Sequence, residues 1–388
     1  MENFILYNPT KLHFGNNVIN ELGKTISTYG NKVLLIYGKN SIKENGIYAQ
    51  VMGQLKTINA EVFEYSGIKS NPVVEDVDFA ARLGRNNNVD VVLAVGGGSV
   101  IDSAKIISIS IPVSHSAWDF YSGLKKPSKA IPLVAVLTLA ATGTEMNPYA
   151  VLQNHKTKQK LGWGNQLCYP KHSFLNPQFT VSVPKNYTAY GIADLVAHCL
   201  EAYFGKGDAS LSDRIVISII KEAMDYGPTL LQDLKNYELR EKIMYAATLA
   251  LNGITTAGKT GGDWGAHDIG HVLSLLYNIP HGASLTIVYP AWMKIMKDRI
   301  PERISNLGKE LFDVDTKDET IVSFEEFFRQ IECPVRLKDV GITIQNREQI
   351  FDTLALNKAS GMNHKLNTDD LKAILDLMYT ERMSLQGY

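Results

Sequence analysis

The chain has 388 residues, of which 45% are hydrophobic and 20% charged, and its formal net charge is −1. That length exceeds one ordinary hydrophobic core, so we expect two domains of a globular protein rather than a disordered chain. The nearly neutral balance gives no reason to expect nucleic acid or an anionic membrane as a partner. The longest apolar stretch, at 131–141, is far short of the ~20 residues that a membrane span needs.

The beginning of the chain and the cysteines indicate a cellular compartment. The first residues, MENFILYNPT, lack a basic segment followed by a long apolar run, so we expect no signal peptide. The three cysteines, an odd number, are widely separated. A disulfide framework is therefore not expected, and the sequence predicts a cytoplasmic protein.

The first 183 residues alternate short apolar runs with helical patterns. The runs KVLLIYG and DVVLAV are uniformly apolar, which is typical of buried strands in a parallel sheet. A helical pattern follows each of them, SIKENGIYAQVMGQLKT and GGGSVIDSAKIIS. The stretch 147–163 predicts a hairpin with a polar, lysine-rich tip. This alternation predicts an open parallel sheet flanked by helices.

From Pro184 onward the pattern is helical only. No strand is expected after residue 183, so we predict an α/β domain at 1–183 and an all-helical domain at 184–388. A site shared by the two domains would lie in the cleft between them. The clearest helices are expected at 185–205, 209–234, 237–258, 264–277 and 281–298.

Residues of the type that bind metals recur in the helical part. Asp194 and His198 are four residues apart, which places both on one helix face. His267 and His271 form a second such pair, and His281 follows shortly after. One carboxylate with several imidazoles is a typical ligand set for Fe²⁺ or Zn²⁺. Spacing alone leaves more candidates than the four places of a tetrahedral site, and His271 is either a ligand or a nearby proton carrier.

A strand, a glycine run and the start of a helix coincide at DVVLAVGGGSVIDSAK. The glycines allow a close approach to phosphate, and the N–H groups of a helix start favour an anion. We predict that Ser99 is the N-cap of this helix and that Asp102 is the acid of a capping box. An ordinary tight turn with a capped helix is the alternative.

A second small-residue turn, Gly38-Lys39-Asn40-Ser41, follows the earlier strand. It has no carboxylate to bind a ribose 2′-hydroxyl, and its small residues and its lysine leave room and charge for a 2′-phosphate. A plain turn with a solvated lysine is the alternative.

Four motifs together resemble those of one known family. GGGSVID, TLAATGTEMN, ADLVAHCLEAYF and GGDWGAHDIGHVLSLLYNIPHG resemble the iron-dependent (group III) alcohol dehydrogenases, and the butanol dehydrogenase-like branch of NADPH-dependent aldehyde reductases most closely. The resemblance implies a dehydroquinate synthase-like fold. In that fold an α/β N-terminal nucleotide-binding domain is followed by an all-α C-terminal metal-binding domain.

The resemblance also implies roles for individual residues. The implied metal ligands are Asp194, His198, His267 and His281, with His271 beside them as a non-ligand. His271, as proton carrier, and Asp102 are the predicted catalytic residues. The implied cofactor-binding residues are Gly38, Lys39, Ser41, Gly97, Gly98, Ser99, Asp102, Thr138, Thr142 and Lys160.

The implied reaction is reversible hydride transfer between NADP(H), in preference to NAD, and a small aldehyde, which gives a primary alcohol. Fe²⁺, with Zn²⁺ as the second choice, would act as the Lewis acid, and a homodimer is expected. A dehydroquinate synthase-like lyase or a phosphopolyol dehydrogenase is the alternative on the same fold, but 261–284 has no lysine or arginine for an anionic substrate. A metal- and nucleotide-binding protein without catalysis is a further alternative.

Overall fold

The computed structural model describes residues 1–380. All eight strands in this part of the chain lie in its first half. These are β1 (Lys11–Phe14), β2 (Lys32–Tyr37), β3 (Glu61–Tyr65), β4 (Val91–Gly96), β5 (Leu133–Leu137), β6 (Tyr149–Asn154), β7 (Gln159–Gly164) and β8 (His172–Leu175). Six of them form one sheet in the order β1-β8-β5-β4-β2-β3, and every pair in it is parallel. The predicted parallel sheet is confirmed.

Alternate residues of the central strands face opposite sides of this sheet, and both sides are buried. Leu34 of β2 belongs to one hydrophobic cluster, and its neighbours Val33 and Leu35 belong to another. Strands covered on both faces need apolar residues at every position, which explains their uniform composition. The helices that cover them are α1 (Leu22–Ser27), α2 (Ser41–Glu44), α3 (Ile47–Thr57), α4 (Val74–Asn86), α5 (Gly98–Ser110) and α6 (Trp118–Tyr121).

Two local expectations for this half have different outcomes. The continuous helix expected after β2 is wrong: α2 ends at Glu44, and Gly46 has a left-handed backbone with φ 80° before α3 begins. A glycine adopts this conformation without a steric penalty, so it separates the two helices. The hairpin is confirmed, because β6 and β7 pair antiparallel as a separate two-stranded sheet.

Helices make up the second half of the described chain. They are α7 (Lys185–Tyr203), α8 (Ser210–Gln232), α9 (Tyr237–Ala250), α10 (Gly265–Tyr277), α11 (His281–Met296), α12 (Pro301–Phe312), α13 (Lys317–Gln330), α14 (Arg347–Leu356) and α15 (Thr368–Tyr379). Within residues 1–380 no strand follows β8, as expected. The helix expected at 237–258 is too long, because the chain turns at Gly253, where φ is 101°.

Helix α7 is the centre of the helical half and packs against α8, α9 and α11. Its burial is nearly complete from Thr188 to Tyr203. None of the helices in the described part of the chain is long and apolar enough to cross a membrane. The α/β part thus precedes the helical part, as expected, and the exact division after residue 183 stays a prediction.

Candidate metal and nucleotide site

Helix α7 carries the first two predicted metal ligands on a buried face. Asp194 and His198 lie one helical turn apart, and Asp194 Oδ1 is 3.8 Å from His198 Nε2. Both residues are almost fully buried, at 2% and 4% exposed. The helical spacing therefore turns one carboxylate and one imidazole towards the same point.

The other two predicted ligands lie near the starts of α10 and α11. His281 is the first residue of α11, after Pro280, and its Nε2 is 3.7 Å from Asp194 Oδ1. One ligand atom each from Asp194, His267 and His281 lie within 4.8 Å of one another. The structure thus brings the four predicted ligands together, with His198 joined through its contact with Asp194.

Polar atoms of this cluster lack hydrogen-bond partners within residues 1–380. Asp194 Oδ1 and His267 Nε2 are buried and make no hydrogen bond with the described residues. Burial raises the pKa of Asp194 to about 8 and lowers the pKa of His267 to about 3. The imidazole is therefore neutral with a free lone pair, and an ionised carboxylate at this depth needs a cation nearby. One carboxylate and three imidazoles fit a divalent transition metal.

Glu201, which was not among the site residues predicted from the sequence, forms a hydrogen bond with His267. Its Oε1 lies 2.7 Å from His267 Nδ1, and its Oε2 accepts a hydrogen bond from the backbone N–H of Trp264. Burial raises the pKa of Glu201 to about 7. Glu201 follows Asp194 and His198 on the same helix face, so the i, i+4, i+7 spacing is the signal that could have found it.

His271 lies beside the cluster, one turn after His267 on α10. Its ring stacks on that of His281 with the centroids 5.2 Å apart, and its centroid is 6.3 Å from that of His267. Like His198 it is outside the group of three close ligand atoms, but unlike His198 it makes no contact with the Asp194 carboxylate among the described residues. Burial holds the pKa of His271 well below its usual value, so the ring is neutral near pH 7.

The glycine run joins β4 to α5, but the capping expected there is wrong. Gly97 is the N-cap, with an extended backbone, and the helix begins at Gly98. The hydroxyl of Ser99 instead donates to the carbonyl of Ser70, in the segment that follows β3. A Cβ at Gly98 would lie 2.8 Å from the side chain of Thr142, so only glycine allows this close approach.

Asp102 has partners other than those of a capping box. Its Oδ1 accepts a hydrogen bond from the Thr144 hydroxyl at 2.5 Å, and its Oδ2 accepts one from the backbone N–H of Val151 at 2.9 Å. Burial raises the pKa of Asp102, and the nearby Lys105 opposes that shift. The carboxylate therefore connects α5 to the loop after β5 and to the hairpin.

Lys160 stands on strand β7 and is only 5% exposed. Its ammonium group donates to Asn71 Oδ1 at 2.7 Å, and the Asn71 amide in turn donates to Asn278 Oδ1 at 2.8 Å. Burial lowers the pKa of Lys160 to about 7. A hydrogen-bonded chain thus joins the hairpin, the segment after β3 and the end of α10.

One cleft of about 570 Å³ is lined by residues of both halves. Its lining includes nine of the predicted site residues: Gly98, Ser99, Asp102, Thr142, Lys160, His198, His267, His271 and His281. Asp194 is not among the lining residues, but its Oδ1 lies 3.8 Å from His198 Nε2 and 3.7 Å from His281 Nε2. The cleft therefore contains the N-terminus of α5 and the metal-type cluster together, as a cofactor-dependent site requires.

Five predicted cofactor residues are outside the cleft lining: Gly38, Lys39, Ser41, Gly97 and Thr138. The turn at Gly38 nevertheless borders α5, because a Cβ there would lie 3.9 Å from Val100. Lys39 and Ser41 are exposed beside it. Thr138 donates its backbone N–H to the carbonyl of Gly96, at the end of β4.

Family models match most of the chain. The model of the iron-containing alcohol dehydrogenases matches residues 9–177, and that of the C-terminal part of the Fe-containing alcohol dehydrogenase family matches residues 188–379. The chain is 42% identical to a probable NADH-dependent butanol dehydrogenase 2 of Bacillus subtilis, over 97% of this chain and 99% of that one. It is 33% identical to the NADPH-dependent aldehyde reductase YqhD of Escherichia coli, over 97% and 99%.

A solved structure extends the similarity to the fold. The crystal structure of NADH-dependent butanol dehydrogenase A from Thermotoga maritima superposes with a TM-score of 0.95 at 38% identity, over 98% of this chain and 99% of that one. Members of the family use a divalent metal and a nicotinamide cofactor, and the cluster and the cleft described above fit both. By its sequence, its fold and its family models, the chain belongs to the iron-containing alcohol dehydrogenases and is a metal-dependent oxidoreductase of that family.

Proposed function

We propose that this protein reduces small aldehydes to primary alcohols with NADPH and one Fe²⁺ ion, and that it catalyses the reverse oxidation. The observation that carries the proposal is that one cleft faces both the N-terminus of α5 and a buried cluster whose ligand atoms have no hydrogen-bond partner in the described part of the chain. When bound, the cofactor supplies the hydride and the cation supplies Lewis-acid polarisation of the carbonyl.

The proposed ligands are Asp194, His198, His267 and His281. The backbone at Gly98 and Ser99 would hold the pyrophosphate, since free N–H groups at a helix start attract phosphate. Thr142 and Lys160 would position the nicotinamide end of the cofactor from the sides of the cleft. These contacts would hold the nicotinamide close to the carbonyl carbon of the substrate.

The reaction also needs a proton at the substrate oxygen, and His271 is the group proposed to deliver it. Its neutral ring carries one N–H and one lone pair, so it can give a proton on one side and accept one on the other. It lines the cleft and stacks on His281, which places it beside the proposed ligands.

The cleft favours an uncharged substrate. Among its described lining residues Lys160 is the single cation, and Trp163, Leu251, Trp264 and Met362 supply large apolar surfaces. A phosphorylated polyol or a carboxylate substrate of a lyase would need several cations close to the metal. A small aldehyde needs only an apolar wall that excludes water.

The preference for NADPH rests on the turn after β2. Lys39 and Ser41 are exposed there, and no carboxylate occurs in the turn itself. A lysine is able to neutralise a 2′-phosphate, whereas a carboxylate would repel it. The relative at 42% identity is named NADH-dependent, and the relative at 33% identity is named NADPH-dependent. The choice between NADPH and NADH is therefore part of the test.

The experiment is a matrix of turnover measurements on apo-protein. The protein is reloaded without oxygen with Fe²⁺ or Zn²⁺ and is then given NADPH or NADH and a series of aldehydes of increasing length. We expect consumption of NADPH with Fe²⁺ and an unbranched aldehyde, and none without metal. Activity of the metal-free protein, or binding of NADPH without turnover of any aldehyde, contradicts the proposal. Faster turnover with NADH throughout overturns only the cofactor preference.

We also propose a homodimer that works in the cytoplasm. The N-terminal segment carries four consecutive exposed apolar side chains, Phe4, Ile5, Leu6 and Tyr7, and Ile5 is 94% exposed. Such a patch is typical of a protein–protein contact, and a second copy of this chain would cover it. All three cysteines are unpaired and buried, which suits a reducing compartment. Sedimentation of the wild type and of Ile5→Asp tests the dimer: a monomeric wild type contradicts it.

A further inference from the structure

The carboxylate of Glu201 contacts both a proposed ligand and the wall of the cleft. It lies on α7, three residues after His198, and is 2% exposed. Its Oε1 lies 2.7 Å from His267 Nδ1, and it also receives the backbone N–H of His267 at 3.3 Å. Its Oε2 receives the backbone N–H of Trp264. One short segment at the start of α10 thus supplies all three of these contacts.

These contacts determine which nitrogen of His267 is free. A carboxylate accepts hydrogen bonds, so the proton of the neutral ring is on Nδ1 and the lone pair is on Nε2. Nε2 is the buried nitrogen that has no partner among the described residues. Carboxylates that orient a histidine in this way fix its ring and raise its basicity towards a metal.

The same carboxylate holds a strained residue. Trp264 has φ 66°, which is unfavourable for a residue with a large side chain. The indole packs against Gly262, where a Cβ would lie 3.0 Å from its ring nitrogen. It also lines the cleft, with its centroid 5.1 Å from that of His267. The backbone conformation of Trp264 therefore decides where this wall of the cleft stands.

We propose that Glu201 is a positioning residue: it orients His267 for metal binding and, through the backbone of Trp264, sets the wall of the cleft. This role rests on the proposed function, because it presumes that the cluster binds a metal. A purely structural role, the capping of α10, would affect folding stability but not the affinity of the folded protein for metal.

The test compares Glu201→Gln with Glu145→Gln. Glu145 is a matched control, because it is also a fully buried carboxylate, 1% exposed, that accepts a hydrogen bond from Thr248 at 2.6 Å and does not line the cleft. Affinity of each apo-protein for Co²⁺ is measured by competition with a chelator, after its melting curve has shown a folded state. The absorption spectrum of bound Co²⁺ reports the ligand geometry.

We expect Glu201→Gln to bind Co²⁺ about 10- to 100-fold more weakly than the wild type and to change its visible spectrum. Glu145→Gln should match the wild type in both. If Glu201→Gln does not fold, Glu201→Asp replaces it, since it keeps the charge but is too short to reach His267. Equal Co²⁺ affinity and spectra in a folded Glu201 variant and the control overturn the inference. So does failure of both Glu201 variants to fold, because Glu201 is then needed for folding itself. A wild type that binds no divalent metal overturns the proposed function instead.

Discussion

The helical side of the cleft presents buried atoms without partners among the described residues, whereas the start of α5 on the sheet side presents backbone N–H groups and small side chains. Asp194 and His267 keep such atoms in the protein interior, and each of them costs about 1–3 kcal/mol when nothing binds it. On the sheet side, Gly98 and Ser99 belong to a helix start whose N–H groups water can satisfy.

This difference indicates how each side of the site would bind its ligand. Helices α7, α10 and α11 hold their atoms in place before any ligand arrives, so the metal side is preorganised at a cost to stability. The turn with Lys39 is exposed and contributes through charge rather than burial. Substitutions on the helical side should therefore abolish function, and substitutions at the turn should change it by degrees.

Removal of a ligand should have the largest effect. We expect His198→Ala to lose bound metal and to lower kcat/KM more than about 1,000-fold, because Lewis-acid stabilisation of the developing charge is worth several kcal/mol. His155→Ala, at the exposed hairpin tip, should keep the metal content and activity of the wild type. The measurement is metal content by mass spectrometry together with steady-state kinetics. An active His198→Ala without metal would contradict the preorganised metal side.

The proposed proton carrier should have the next largest effect. His271→Ala should retain metal, because His271 is not a proposed ligand and, unlike His198, makes no contact with the Asp194 carboxylate among the described residues, but its kcat should fall about 100-fold or more. The pH profile of kcat should change as well, because a different group must then deliver the proton. Wild-type turnover with an unchanged profile would exclude His271 from the reaction. Loss of metal would instead make it a ligand.

A buried lysine tests the sheet side away from the ligands. Lys105 is completely buried on α5 and donates to Thr144 Oγ1 at 2.6 Å, Asn147 Oδ1 at 3.0 Å and the Tyr149 carbonyl at 2.6 Å. Lys105→Met removes one donor from each of these three oxygen atoms, two of which belong to buried residues, so we expect the free energy of unfolding to fall by about 3 kcal/mol. The exposed Lys125→Met should change it by less than about 0.5 kcal/mol. Denaturant titration measures both.

The difference in unfolding free energy between the wild type and Lys105→Met should depend on pH, and the pKa of Lys105 gives its sign. Burial lowers the pKa of Lys105 from 10.5 to about 8 in the folded protein. Between pH 8 and 10 the unfolded chain therefore holds more protons at this position, and the wild type gains stability as the pH rises. The deficit of Lys105→Met should grow over that window by about 1 kcal/mol per pH unit. A constant deficit would mean that Lys105 keeps an ordinary pKa in the folded protein, and a shrinking one that its pKa is raised there.

Periodicity and the positions of prolines make the helices and the ligand pairs predictable. The helical pattern places α7 at 185–205, and α7 spans Lys185–Tyr203. Pro184 and Pro280 mark the starts of α7 and α11, because proline fixes the backbone ahead of a first turn. The spacing of four residues needs only the geometry of a helix, so the pairing of Asp194 with His198 follows from the sequence alone.

Residues whose partners are distant in the chain could not be predicted in this way. The spacing places Glu201 on the helix face of Asp194 and His198, but its role depends on Trp264 and His267, about 65 residues later, which no local pattern shows. Lys105 likewise is one of several polar residues in α5, and the sequence does not show that its partners lie about 40 residues later. Ser99 has the local pattern of an N-cap, but an acceptor from another segment, the carbonyl of Ser70, engages its hydroxyl instead. A local sequence pattern does not show which groups from other segments will compete for a side chain in the folded protein.

Substitution of Lys39 in the exposed turn should have the smallest effect of these variants, and it should affect NADPH but not NADH. Lys39→Ala should raise KM for NADPH about 10-fold and leave KM for NADH within about twofold, because one partly solvated charge-assisted hydrogen bond to the 2′-phosphate is lost. Lys56→Ala, also exposed but at the far end of α3, controls for the change in net charge and should alter neither constant. The effect on NADPH should also weaken at high salt, since an exposed charge is screened. If KM for both cofactors rises equally, Lys39 contacts a part of the cofactor that NADPH and NADH share, and the turn after β2 does not select between them.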